Sequence, residues 1–169
     1  MHAEAAPNAT TFGSTRSPIA VNATAVQTCT MQMSPRLGSL VLKKGVHIGA
    51  LSEPDRALVL ALAANAIEPG RLHREDDVNR LLLDWLADVG AMLHTDHVEL
   101  RRWLVDGGYV SRDPWGHAYG RGRAELERAH DVLGTSDAEA LARAVRSARV
   151  AAQSARIANR LAYESHRSG

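Results

Sequence analysis

A single cysteine, Cys29, occurs in 169 residues, so neither an intramolecular disulfide nor a thiolate zinc cage can form, and a reducing, cytoplasmic setting is expected. Aromatic residues make up only 4%, and alanine supplies much of the 45% hydrophobic content, so a large aromatic-lined pocket is not expected. No stretch approaches the ~18 unbroken apolar residues that a membrane span needs, which predicts a soluble chain. P-loop, dinucleotide, nucleophile-elbow and metalloprotease signatures are missing, and no nucleophile is paired with a base, so a non-enzymatic protein without a cofactor is expected. An excess of one charge is lacking too: 20 Lys and Arg stand against 19 Asp and Glu, a formal net charge of +1. That excludes a polycation whose whole surface grips nucleic acid, and any electrostatic function has to be regional.

What is present divides into three parts. Residues 1–36 carry Glu4, Arg16 and Arg36 and are otherwise rich in Ala, Thr, Ser, Asn and Pro, without helical or strand periodicity. Such a segment buries too little apolar area to offset its ordering entropy, which predicts a disordered leader. Ile19-Ala20-Val21 is interrupted at once by Asn22, so a secretory signal is not expected. Residues 37–122 carry the periodic patterns of a folded domain, and residues 123–169 read as a basic helical tail.

Within the domain, Leu40-Val41-Leu42 and Val46-His47-Ile48 around Lys43-Lys44-Gly45 suggest a short strand or hairpin. Ser52-Glu53-Pro54-Asp55 is a helix start, with Ser52 as cap, and the helix is expected to run to about Ala66 before Pro69-Gly70. Val78, Leu81, Leu82, Trp85, Leu86 and Val89 then form one apolar stripe on a second helix that begins with Glu75, Asp76 and Asp77 and stops at Gly90. A third helix opens at Asp96, with Glu99 three residues on, and buries Leu100, Trp103 and Leu104. Tyr109 to Arg112 and His117 to Tyr119 read as two strands joined by Asp113-Pro114-Trp115-Gly116. The expected fold is therefore mainly α with a small β component, on a winged helix-turn-helix plan.

The run Glu68-Pro69-Gly70-Arg71, then Glu75, Val78-Asn79, Leu100-Arg101-Arg102-Trp103-Leu104-Val105-Asp106, Gly108, Arg112, Gly116 and Tyr119 resembles the bacterial family catalogued as domain of unknown function 2087. The resemblance extends from Leu40 to Arg121. Members stand alone or are fused to transcriptional regulators, so the resemblance implies a winged-helix module and assigns no reaction. In place of the family's usual His-Asp or Asp-Asp pair before the last helix, this chain has His94-Thr95-Asp96-His97, which implies a longer linker ahead of that helix.

These patterns point to a DNA-binding transcriptional regulator. His97, Arg101 and Arg102 are expected to face the groove, with Arg112, Trp115 and His117 on the wing, because guanidinium forks match guanine edges and phosphates. In the alternative role, one of the two helix arginines pairs with Asp76, Asp77 or Asp84 and fixes a helix crossing. From Glu53 to Glu99 the local charge is −6, so only the third helix, the wing (Arg112, Arg121, Arg123) and the tail are suited to a duplex. In the tail, Arg146, Arg149, Arg156, Arg160 and Arg167 share roughly an 80° arc of one helix. Leu141, Val145, Ala148, Ala152 and Ala155 form a thin seam on a neighbouring face. That helix can lie on the domain's own acidic helices, bind DNA or RNA phosphates, or form a homodimer. The rival class is an interaction module that docks on a larger assembly while its basic helix holds RNA or an acidic partner. No membrane partner is expected, since the tail lacks large inserting side chains. His94 and His97 beside Asp96, Glu99 and His117 have a spacing open to a divalent ion, but exposed or capping histidines are expected instead.

Overall fold

In the computed structural model, residues 33–135 and 137–167 are described. Residues 1–32, which include Cys29 and most of the expected leader, lie outside the described residues, as does Ser136. The described chain is mainly helical with one small antiparallel sheet, in the order α1 (Pro35–Val41), α2 (Glu53–Ala64), β1 (Leu72–Arg74), α3 (Glu75–Ala87), α4 (His97–Asp106), β2 (Ser111–Arg112), β3 (Ala118–Gly120), α5 (Arg123–Leu133) and α6 (Ala138–Arg167).

The first element corrects the expected strand at Leu40 to Leu42, which is the end of α1. Ser34 Oγ accepts from the Leu37 N–H at 3.2 Å, Pro35 occupies the first turn, and Leu37, Leu40 and Val41 recur at helical spacing and are buried. The expected hairpin is also absent: Val46 exchanges backbone hydrogen bonds with Met92 and His94 in the α3–α4 connection, at 2.9 and 2.8 Å. Helix α2 is the centre of the core. Leu58 to Ala64 are buried without a break, so this helix is covered on every side rather than on one stripe. Its start follows the sequence pattern, with Ser52 Oγ accepting from the Asp55 N–H at 3.4 Å. Arg36 reaches across from α1 to Asp55 and to Ser52.

The apolar stripe of α3 is oriented as expected, with Val78, Leu82 and Trp85 buried. The helix ends at Ala87, and a tight turn follows in which the Gly90 N–H donates to Trp85 O at 2.8 Å. A Cβ on Gly90 would meet the Trp85 ring at 2.3 Å, so glycine is what lets the chain fold back across that indole. Helix α4 begins at the Asp96 cap, whose carboxylate accepts from the Glu99 N–H at 2.7 Å, and it buries Leu100 and Leu104. The sheet has the order β1-β3-β2, with Tyr119 of the central strand opposite both His73 and Arg112. At the β2–β3 turn, the Asp113 carboxylate accepts from the N–H groups of His117 and Ala118, at 2.6 and 3.1 Å. The tail holds two helices: α5 ends at Leu133 with Gly134, φ +74°, as its cap, and the basic helix, α6, then runs for 30 residues from Ala138.

The Asp96 and Asp113 carboxyls are both held below their ordinary 3.8, first by the backbone N–H groups they accept from. Their charged forms therefore favour the fold above pH 3.8, and that contribution is lost as pH falls through the lower folded-state values. Thermal melts from pH 5 to pH 2.5 should show the midpoint falling in this window. Asp96→Asn retains the cap and should match the native protein at pH 5 but fall less steeply on acidification. Parallel profiles for the two proteins would contradict the assignment.

Candidate nucleic-acid interface

The arginines divide by where their guanidinium groups are used. The last turns of α2, α3 and α4 contain no basic residue, so each leaves carbonyl oxygens and the negative end of a helix dipole to be met from elsewhere. Arg121 meets those of α2: Nη1 donates to Ala64 O at 2.7 Å, Asn65 Oδ1 at 3.0 Å and Ile67 O at 3.4 Å. Arg149 joins the ends of α1 and α3 by donating to Val41 O at 3.1 Å, Val89 O at 2.8 Å and Asp88 O. Arg128 does the same for α4, donating to Gly107 O and Gly108 O at 2.9 and 2.7 Å, with its guanidinium 5.9 Å from the Tyr109 ring centre. Burial lowers the Arg121 pKa, opposed by nearby Glu125, and lowers that of Arg149, opposed by Asp88. Arg146 is raised instead, because the Asp88 carboxylate accepts from it at 2.6 Å.

These contacts correct three expectations. Arg121, placed on the wing from sequence, is only 3% exposed and serves the core. Arg146 and Arg149, expected on nucleic acid, are held by the C-terminal end of α3, so the first half of α6 fulfils the reading in which the tail lies on the domain's own acidic helices. Arg101 is the third. Its side chain is 12% exposed, pairs with Glu75 Oε1 at 2.7 Å, donates to Asn79 and lies 5.3 Å from the Tyr119 ring centre. It fixes α3 against α4 and the sheet, as the structural alternative had it, although the partners are Glu75 and Asn79 rather than Asp76, Asp77 or Asp84.

The remaining candidates are exposed, apart from His97. Arg102 on α4 and Arg112 on β2 are exposed and meet at a cleft of about 170 Å³ that also takes in Arg101, Val105, Asp106 and Tyr119. Arg102 lies close enough to Asp96 to help lower that carboxyl. His97 is half-buried in the first turn of α4, and His117 is exposed on the hairpin. Trp115, at the hairpin tip, is 77% exposed, so it does not fold back over the buried Tyr109. Arg156 and Arg160 lie on the outer half of α6, where Arg160 pairs with Glu164 at 2.9 Å. The His94 ring stacks edge-on against His47, and among the described residues no three His, Cys, Asp or Glu side chains are gathered so as to hold a metal ion. No described helix is long and apolar enough to cross a membrane.

The difference between Arg101 and Arg102 was available from the helical period. Taking Leu100 and Leu104 as the buried seam, Arg101 lies roughly 80° from its centre and Arg102 roughly 180°. Arg121 and Arg128 carried no such local signal, because their acceptors lie on elements remote in sequence.

The comparison with known families falls on this same body. Residues 51–121 match DUF2087, described as an uncharacterized protein conserved in bacteria. The match bears out the resemblance over α2, β1, α3, α4, β2 and β3, starts later than Leu40, and covers less than half of the chain. The DUF2087 segment ends at Arg121, the residue that caps α2, and leaves α1, α5 and α6 outside it. No curated protein and no solved structure matches the chain.

Arg121→Met should lower unfolding stability by about 2 kcal/mol, since buried carbonyls lose a charged donor, a loss partly offset because Nε and Nη2 find no acceptor among the described residues. Urea denaturation measures the change. A more stable variant would show that desolvation of the guanidinium outweighs its capping bonds.

Proposed function

We propose that the DUF2087 segment is a winged helix-turn-helix module and that the protein is a non-enzymatic, cytoplasmic DNA-binding regulator of transcription. Support for the fold reading comes from element order: helix, strand, helix, helix and hairpin, with the lone strand β1 added to the hairpin through β3. In that plan α3 and α4 are the two motif helices, α4 enters the major groove and the β2–β3 turn is the wing.

The observation that carries the functional reading is the cleft between α4 and β2, where Arg102 and Arg112 are outward while Arg101 is anchored beneath them. Two exposed guanidinium groups from different elements suit a phosphodiester, which positions the protein, and Arg102 also has the reach of a base-reading side chain. His97 in the first turn of α4 and His117 on the hairpin are the further candidates for this contact, and Trp115 offers a flat surface to a sugar or a base at the wing tip. The acidic stretch from Glu53 to Glu99 repels a duplex approaching from other sides and so favours one orientation.

Arg102→Ala with Arg112→Ala should weaken binding to a random-sequence duplex about tenfold or more. The slope of log affinity against log salt should also become shallower by about two. Fluorescence anisotropy at two salt concentrations reads both, with circular dichroism confirming the fold. An unchanged affinity would overturn the proposal. Binding of structured RNA that depends on Arg156 and Arg160 instead would favour the rival interaction module, in which α6 makes the contact.

A further inference from the structure

Helix α6 has two unlike halves. Up to Arg149 it is fastened to the body by Leu141, Val145, Arg146 and Arg149, so the first part of the expected seam is used within the chain. From Val150 to Arg167 it is exposed apart from half-buried Ala152. Val150, Ile157 and Leu161 are 66%, 51% and 60% exposed, and at 100° per residue they fall within roughly 40° of one another. Ala151, Ala155, Ala158 and Ala162 cover the adjoining arc on one flank, while Arg156, Arg160 and Arg167 lie roughly 100° from the centre of the face on the other flank. The outer half is thus an amphipathic helix whose apolar face has no cover among the described residues.

We infer that this face pairs, antiparallel, with the same face of a second copy of the chain. Sequence and charge favour that occupant. An antiparallel register that sets Val150 against Leu161 of the partner subunit also sets Ser154 against the partner's Ile157, small beside large, and repeats both contacts through the two-fold axis. Alanine on the adjoining arc allows close helix approach. The arginine stripes lie beside the seam rather than on it, roughly 100° from its centre, so the pairing buries no arginine. Glu164 arrives opposite Ser147 of the partner subunit, within a turn of the partner's Arg143, and both positions are exposed on the body-attached half, leaving room for the second helix. A lipid surface fits less well, because alanine gives little insertion energy and the face has no aromatic side chain. This pairing does not rest on the DNA-binding reading.

Sedimentation of the full chain tests it. The native protein should show a reversible equilibrium between the 18.2 kDa monomer and its dimer. Ile157→Asp with Leu161→Asp should shift that equilibrium toward monomer by at least about tenfold in concentration, without altering the melting temperature of the body. In a Cys29→Ser background, a mixture of Val150→Cys and Leu161→Cys proteins should cross-link to each other faster than either does to itself. Native protein that stays monomeric at about 100 μM, a dimer indifferent to the Asp substitutions, or preferential Val150→Cys self-linking would overturn the antiparallel pair. So would a monomer that binds phosphatidylglycerol vesicles through the same face.

Discussion

The capping of helix ends by arginines from later in the chain is the interaction on which the rest of the structure depends. Helices α2, α3 and α4 each finish without a basic residue in the last turn, and a helix end left facing the interior would hold unpaired carbonyls. Arg121, Arg149 and Arg128 supply the missing donors in that order. Each cap closes a long loop, and together they bind the segment after the hairpin to the segment before it. The fork geometry matters: Arg149 alone reaches carbonyls at the ends of two helices, which a lysine ammonium on one stem does not reproduce with the same set of fixed angles.

This places the near-zero net charge in a different light. Acidic side chains gather in α2, α3 and the start of α4, several of them in first turns where they meet the positive helix end, and basic ones gather after the hairpin. Arg146 on Asp88 and Arg149 on the adjoining carbonyls use part of the basic charge internally. Among the cations that face outward, Arg102 and Arg112 stand at the α4–β2 cleft, and Arg156 and Arg160 on the projecting half of α6. On the proposed reading, the contact surface draws on cations that the core does not use.

Much of the α-helical frame was legible because it is written in local rules. Ser52 and Asp96 cap the helices they were expected to cap, the α3 stripe is buried where its period placed it, and Asp113 with Gly116 shapes the expected hairpin. Strand β1 was not legible, since it is three residues long and its one buried side chain is His73; it exists because β3 offers it an edge. Helix α1 was misread because its period starts at Leu37, which composition had grouped close to the leader. The arginine caps are contacts between distant elements, so no window of sequence contains both donor and acceptor.

Comparing Arg149→Met with Arg149→Lys by chemical denaturation tests the central claim most directly. Loss of three charge-assisted bonds to carbonyls predicts that Met lowers stability by about 2 kcal/mol or more, and that Lys, which keeps the charge but not the fork, recovers less than half of the loss. Full recovery by Lys would reduce the cap to a helix-dipole charge, and no loss in either variant would contradict the account.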